Sequence, residues 1–272
     1  MTDPSNTCNF DIEPLIQGFC EISQIEFDHR YQLWEKNSID QNSVEVIGAL
    51  LSRQLTLAHQ VARSPGIWNG HTAPLILRAM ADVHISLAWI FADPIERSKA
   101  FVKYGLGQQK LQLEHRRAWL AAQAPDTENL EYIKKIKEEM ENWLNEQRMD
   151  FLIEVNLGSW SGKSARDMAE EANCLDFYNY VYTPFSACVH SQWHHIERCN
   201  TKRCLNPLHG MHRVPGAVEV NIDPNYLILS AKYMRKSFMA FDEFAKINPH
   251  VESSYNWLRD SLYSGSETES DD

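Results

Sequence analysis

The sequence lacks the short motifs by which several large enzyme classes are recognised. It contains no G-x-S-x-G nucleophile elbow, no Walker A phosphate loop and no G-x-G-x-x-G dinucleotide loop. It also lacks the paired E-x-x-H sequences that di-iron helical bundles carry. None of these classes is therefore predicted, and an active site has to be sought among less regular groups of polar residues.

Cysteines, positive charge and long apolar runs are also scarce. Six cysteines in 272 residues are too few for a disulfide-stapled domain. The net charge of −11 argues against general attraction to nucleic acid or to an anionic membrane. The sequence shows no basic segment followed by an apolar signal region, and no run of about 20 uncharged apolar residues. We therefore expect a cytoplasmic protein without a membrane span.

What the sequence does have is helical periodicity. Hydrophobic residues make up 43% of the chain and recur mostly at helical spacing, which predicts an all-α, bundle-like fold with one multi-helix domain. We divide the chain into an N-terminal helical extension over 1–40, a core domain over 41–262 and an acidic, disordered tail over 263–272. An irregular loop is expected near 199–223, with one short strand, AVEVNI, at its end. Helices are predicted over 11–36, 43–63, 74–92, 94–124, 127–148, 164–173, 175–198, 224–247 and 250–262.

The most apolar predicted helix, over 74–92, carries two charged residues four positions apart. Arg78 and Asp82 share one face of this helix and can form an ion pair. Arg78 is also followed after five residues by His84, a spacing that resembles the Arg–His signature of HEPN-type ribonucleases. In a straight helix the two side chains point about 120° apart, so a catalytic pair requires a distorted helix or a second copy of the chain. The structural alternative is a neutralised ion pair with a separate, satisfied core histidine.

A second polar stripe follows the helix predicted over 175–198, which Pro184 should bend. Its members recur at four-residue steps: Tyr178, Tyr182, Ser186, His190 and His194. In the functional interpretation, His190 is a titratable base that Tyr182 and Ser186 orient. In the structural one, the tyrosine hydroxyls reach backbone partners on an ordinary amphipathic helix.

The segment CNTKRCLNPLHGMHRVP combines metal-ligand residue types with positive charge. Thiols and imidazoles are the ligands that zinc selects, and the candidates here are Cys199, Cys204, His209 and His212. The basic residues, which form the one basic island of the chain, are Arg198, Lys202, Arg203 and Arg213. We therefore expect either a zinc site or a surface that contacts phosphate groups, and the alternative is a solvated loop.

Taken together, these segments resemble a largely uncharacterised bacterial family, domain of unknown function family 5677. The resemblance covers about residues 40–220 and rests on LILRAMADVHISLAWIFAD, WSGKSARDMAEEA, DFYNYVYTPFSACVH and CLNPLHGMHRVP. It implies a helical fold comparable with HEPN-like folds, which often serve as dimeric ribonuclease effectors in toxin–antitoxin and phage-defence systems. The residues that it singles out are Arg78, Asp82, Trp160, Arg166, Tyr182, Ser186 and His190.

These observations lead to one functional prediction with two alternatives. We expect a buried, enclosed polar cleft between the helices of Arg78 and His190 that cleaves RNA without a metal, with His84 or His190 as the base. The basic residues from Arg198 to Arg213 would then bind the RNA backbone. The alternatives are a non-catalytic binding or sensing domain and a zinc-stabilised helical domain. The resemblance also implies a homodimer, for which the exposed face of the helix around Trp143 is a candidate.

Overall fold

A computed structural model describes residues 12–36, 39–124, 128–147, 159–216 and 221–263, and within these ranges the all-α prediction is confirmed. The acidic tail and most of the predicted strand AVEVNI lie outside the described residues. The helices are α1 (Glu13–Leu33), α2 (Gln41–Ala62), α3 (Ala73–Phe91), α4 (Pro94–Ala121), α5 (Leu130–Glu146), α6 (Ala165–Glu171), α7 (Leu175–Phe177), α8 (Thr183–Val189), α9 (Trp193–Asn200), α10 (Asn225–Ala245) and α11 (Ser254–Tyr263).

Helix α3 is the centre of the fold. It packs against α2, α10, α8 and α6, and more than half of its residues are buried. Its length and composition alone would suit a membrane span. The surrounding helices instead bury its apolar side chains, such as Leu77, Met80 and Ile85, within the folded domain. Helix α3 is therefore a core helix, as its nearly uniform apolar surface predicts.

Helix α1, predicted as an extension, shares the apolar core of the domain. Its buried face packs on α2 and α11. Arg30 near its end donates hydrogen bonds of 2.8 and 2.9 Å to the carboxylate of Asp242 on α10. Glu26 accepts a 3.1 Å hydrogen bond from the backbone N–H of Ser254, at the start of α11. These polar contacts join α1 to α10 and α11 at the edge of the same core.

The helix predicted over 175–198 is broken rather than bent. A π-helical turn over Tyr178–Tyr182 connects α7 to α8, and the backbone N–H of Thr183 bonds to the carbonyl of Tyr178. Pro184 has no N–H to donate, so the wider turn lies where the α-helical bond would be lost. The chain then breaks at Ser191, whose φ is 49°, before α9 begins. The long stripe of polar residues is thereby divided between two helices.

The predicted irregular loop contains a short β-hairpin. Strands β1 (Thr201–Arg203) and β2 (Arg213–Pro215) pair antiparallel, with Lys202 opposite Val214. Both strands lie before the predicted strand AVEVNI. The sequence analysis missed them because two three-residue strands joined by a nine-residue connection leave almost no period-2 signal.

We predict that Gly18→Ala loosens the contact between α1 and α11. A Cβ at this position would overlap the ring of Trp257, so the substitution should lower the free energy of unfolding by about 1–3 kcal/mol. Gly105→Ala is the matched control, because a Cβ there meets no neighbouring atom and should stabilise α4 by about 0.5–1 kcal/mol. Urea unfolding of both variants measures the difference, and equal effects would contradict the packing described here.

Candidate functional site

The side chain of Arg78 extends from α3 toward α8, and three residues contact its guanidinium group. Its Nε donates a 2.8 Å hydrogen bond to Oγ of Ser186, and Nη1 pairs with the carboxylate of Asp82. The guanidinium carbon lies 3.1 Å from the ring centroid of Tyr182. Arg78 is only 9% exposed, so these contacts replace most of the water that a charged group would otherwise require.

The α8 side of this site depends on the π turn. Ser186 donates a 2.8 Å hydrogen bond to the backbone carbonyl of Tyr182, so its oxygen is free to accept from Arg78. The rings of Tyr178 and Tyr182 stack with centroids 4.7 Å apart. The sequence prediction that Arg78 and Asp82 lie close to Tyr182 and Ser186 therefore agrees with the geometry.

Asp82 and Tyr182 lie where the site opens to solvent. The Asp82 side chain is 53% exposed, whereas that of Arg78 is 11% exposed. Desolvation raises the pKa of the Asp82 carboxyl, and the charge of Arg78 opposes this rise. Desolvation and the nearby Asp82 also raise the pKa of the Tyr182 hydroxyl, which keeps this hydroxyl protonated near neutral pH. This site, called the Arg78 cleft below, is thus open to solvent at Asp82 rather than enclosed as the sequence suggested.

His190 terminates α8 at the surface. It follows Ser186 by four residues, and its backbone N–H donates a 2.9 Å hydrogen bond to the Ser186 carbonyl. Both side chains therefore point to the same side of α8, with His190 exposed to solvent. The last member of the predicted stripe, His194, lies beyond the break at Ser191, on α9.

His84 lies apart from the Arg78 cleft. It is buried against α10, where its Nδ1 lies 3.1 Å from Oγ of Ser237, and its ring packs edge-on against Phe177 at 4.6 Å. Desolvation lowers the pKa of its imidazole to about 3, with a smaller contribution from Lys236. Within one chain Arg78 and His84 do not pair, because the helix is regular here and six residues turn the two side chains to different faces.

Trp160 and Arg166 also lie apart from Arg78. Trp160 packs edge-on against Trp89 at 5.3 Å, and Arg166 forms an exposed ion pair of 3.8 Å with Glu170.

A polar cluster that the sequence analysis missed lies beside Trp160. Its centre is the carboxylate of Glu171, which contacts the donor groups of Trp89, Arg97 and Lys163 at 2.7, 3.6 and 2.5 Å. The cluster is a set of satisfied polar contacts that ties α6 to α3.

The four predicted zinc ligands belong to two separate groups. The ligand atoms of Cys204, His209 and His212 lie within 4.8 Å of one another on the hairpin. Cys199 instead lies with His195 and with His71, a residue that the sequence analysis did not select. Its position between a turn and α3 gives His71 no periodic signal that could have revealed this proximity.

The basic residues of this segment also differ in their surroundings. Arg213 is bound within this segment. Its Nε donates a 2.6 Å hydrogen bond to Oγ1 of Thr201, and its Nη1 lies 3.4 Å from the Glu197 carboxylate. Arg198, Lys202 and Arg203 are exposed. These three side chains are therefore the basic groups of the segment that are most accessible to solvent or to a ligand.

A separate cavity of about 800 Å³ lies between α10 and the segment that contains α7. Its lining includes His84, Lys232, Lys236 and Asp176. Among the described residues, neither Arg78 nor His190 lines it. The cavity and the Arg78 cleft are thus two different parts of the molecule.

One family model, described as "Family of unknown function (DUF5677)", matches residues 44–203, which is more than half of the chain. The chain belongs to this family. No curated protein and no solved structure matches the chain. The matched region begins in α2 and ends in the hairpin, so the family region contains the whole Arg78 cleft but not α1, α10 or α11.

We predict that His84 makes the protein less stable as the pH falls. The unfolded imidazole has a pKa of about 6.5, whereas the folded value is about 3, so protons bind preferentially to the unfolded chain between these values. This group should lower the free energy of unfolding by roughly 1.4 kcal/mol for each pH unit below 6.5. Urea unfolding of the wild type and His84→Gln from pH 7.5 to 4.5 measures the slope, which should decrease in the variant. An unchanged slope would contradict the burial of a neutral imidazole.

Proposed function

We propose that the chain binds single-stranded RNA along the face formed by α8, α9 and the hairpin, and cleaves it at Arg78 and His190. The observation that carries the proposal is the position of the Arg78 guanidinium, which is hydrogen-bonded to Ser186, the residue one helical turn before the exposed His190. Among the described residues, Nη2 of Arg78 has no hydrogen-bond partner, which leaves its two N–H groups for a phosphate oxygen.

The reaction that suits these groups needs no metal. His190 would take the proton of a ribose 2′-hydroxyl, whose oxygen attacks the adjacent phosphorus. Arg78 would stabilise the added negative charge on the phosphorane. The bond from phosphorus to the 5′-oxygen then breaks, and this oxygen takes a proton from water. The products are a 2′,3′-cyclic phosphate and a 5′-hydroxyl.

The segment that follows α8, from α9 through the hairpin, has features that suit an RNA strand. Arg198, Lys202 and Arg203 are exposed there, in a protein whose net charge is −11. Trp193 at the start of α9 is 66% exposed and offers a face on which a base can stack. Local positive charge in the same segment as an exposed aromatic ring supports a strand-binding surface rather than general attraction to nucleic acid.

A non-catalytic binding domain is the second candidate, and the number of contacts made by Arg78 favours it. Nε, Nη1 and the guanidinium face are all engaged within the chain, as expected of a purely structural network.

The proposed setting is the cytoplasm, and the proposed assembly is a homodimer that acts in bacterial defence.

Cleavage of an end-labelled single-stranded RNA tests the proposal. The wild type in magnesium-free buffer should give products with 2′,3′-cyclic phosphate ends. His190→Ala should reduce the rate by about 10²–10⁴-fold, because it removes the base. Arg78→Lys should reduce it by about 10²–10³-fold, because a lysine keeps the charge but not the planar fork.

His250→Ala is the matched control, since His250 is another exposed histidine and precedes α11, away from α8. Its rate should equal that of the wild type. Circular dichroism should show that all three variants keep the wild-type helix content. Absence of cleavage by the wild type, or equal rates in His190→Ala and His250→Ala, would contradict the proposed active site.

A further inference from the structure

Three metal-ligand side chains from two distant parts of the chain meet beside the end of α8. His195 and Cys199 are four residues apart on one face of α9. His71 lies in the segment between the Pro65–Ile67 turn and α3. The ligand atoms of all three lie within 4.8 Å of one another, and all three residues are partly buried.

The distances within this group are close to those of a zinc site. Sγ of Cys199 lies 3.9 Å from Nδ1 of His195. Bond lengths of about 2.3 Å to sulfur and about 2.0 Å to nitrogen place two tetrahedral ligand atoms about 3.5 Å apart. The rings of His71 and His195 are 5.8 Å apart and nearly perpendicular, at 88°. Small side-chain rotations would therefore be enough to bring the three ligand atoms around one ion.

Backbone contacts fix both sides of the group. The side chain of Asn69 accepts hydrogen bonds of 3.0 and 3.1 Å from the N–H groups of His71 and Thr72. The His71 carbonyl in turn accepts a 3.2 Å contact from the thiol of Cys188 on α8. The start of α9 is held by a 2.9 Å hydrogen bond from the Gln192 N–H to the Ala187 carbonyl. The ligands are thus carried by segments that already have defined positions.

The residue types also suit zinc, because two imidazoles and one thiol belong to the donor set that this ion selects. Neutral imidazole and thiolate are the forms that bind zinc, and zinc itself promotes loss of the Cys199 proton.

We propose that His71, His195 and Cys199 bind one Zn²⁺, with the fourth position taken by water. The ion would connect α9 to the segment before α3, whereas the contacts of α9 are otherwise mainly with α8 and β1. It would thereby hold the hairpin segment, residues 201–215, in place against the body of the domain. This site is independent of the proposed RNA cleavage.

The group on the hairpin is the alternative location for zinc. Cys204, His209 and His212 lie in a single short segment, with His209 and His212 exposed, and Sγ of Cys204 lies 3.4 Å from Nδ1 of His209. A metal there would close only a local loop. The group around Cys199 joins residues more than 120 positions apart, so a bound ion would contribute more to the stability of the folded chain.

Metal analysis of the full-length protein tests the proposal. Protein purified without chelator and then dialysed should contain about one zinc ion per chain. Cys199→Ser and His195→Asn should each lose most of this zinc. The matched control, Cys204→Ser, should retain it, because Cys204 belongs to the other group.

Cobalt substitution provides a second measurement that reports on the ligands directly. A cobalt-loaded wild type should show a near-ultraviolet thiolate-to-cobalt charge-transfer band, which Cys199→Ser should lack and Cys204→Ser should keep. Circular dichroism of each variant should show the wild-type helix content, so that lost metal cannot reflect an unfolded chain. Absence of bound zinc in the wild type, or loss of zinc and of the cobalt band in Cys204→Ser but not in Cys199→Ser, would overturn the proposal.

Discussion

The arrangement of α8 on the central helix depends on one nearly buried positive charge. A guanidinium that is only 9% exposed has to be paired and hydrogen-bonded, and Arg78 finds its partners on its own helix and on α8. Ser186 and Tyr182 occupy the required positions because the π turn precedes α8 and sets its rotation. The contact therefore determines where the C-terminal part of the family region lies, including the end of α8 that presents His190.

The same helix carries a second polar group on a different face. His84 points toward α10, where Ser237 lies next to its imidazole and also accepts a 2.6 Å hydrogen bond from Gln54 of α2. Arg78 and His84 thus fix the rotation of α3 relative to its neighbours on two sides. Apolar packing alone tolerates rearrangement, whereas a polar group left without its partner is costly, so these two contacts specify one arrangement of the core helices.

Much of the Arg78 cleft was predictable because its members are close in sequence on two helices. Four-residue spacing placed Asp82 beside Arg78 and placed Tyr182 beside Ser186, and a buried charge required a partner. The fold class followed from periodicity in the same way. The position of His84 was predictable in part, since its angle to Arg78 follows from helix geometry, but its partner Ser237 is 153 residues away.

Other features were not accessible from one sequence. His71 precedes a helix, so no periodicity connects it to Cys199, and their proximity depends on how α8 and α9 are joined at Ser191. The polar contacts of Glu171 likewise unite three separate segments. Spacing along the chain identifies residues on one face of one helix, but it does not identify which faces meet in the folded domain.

The central claim, that Arg78 holds α8 against α3, is tested most directly by a double-mutant cycle between Arg78→Met and Ser186→Ala. The free energy of unfolding of the wild type, both single variants and the double variant gives the coupling energy between the two side chains. The account predicts a favourable coupling of about 1–3 kcal/mol, as expected for a hydrogen bond to a charged group with little exposure. Additivity within about 0.5 kcal/mol would contradict it.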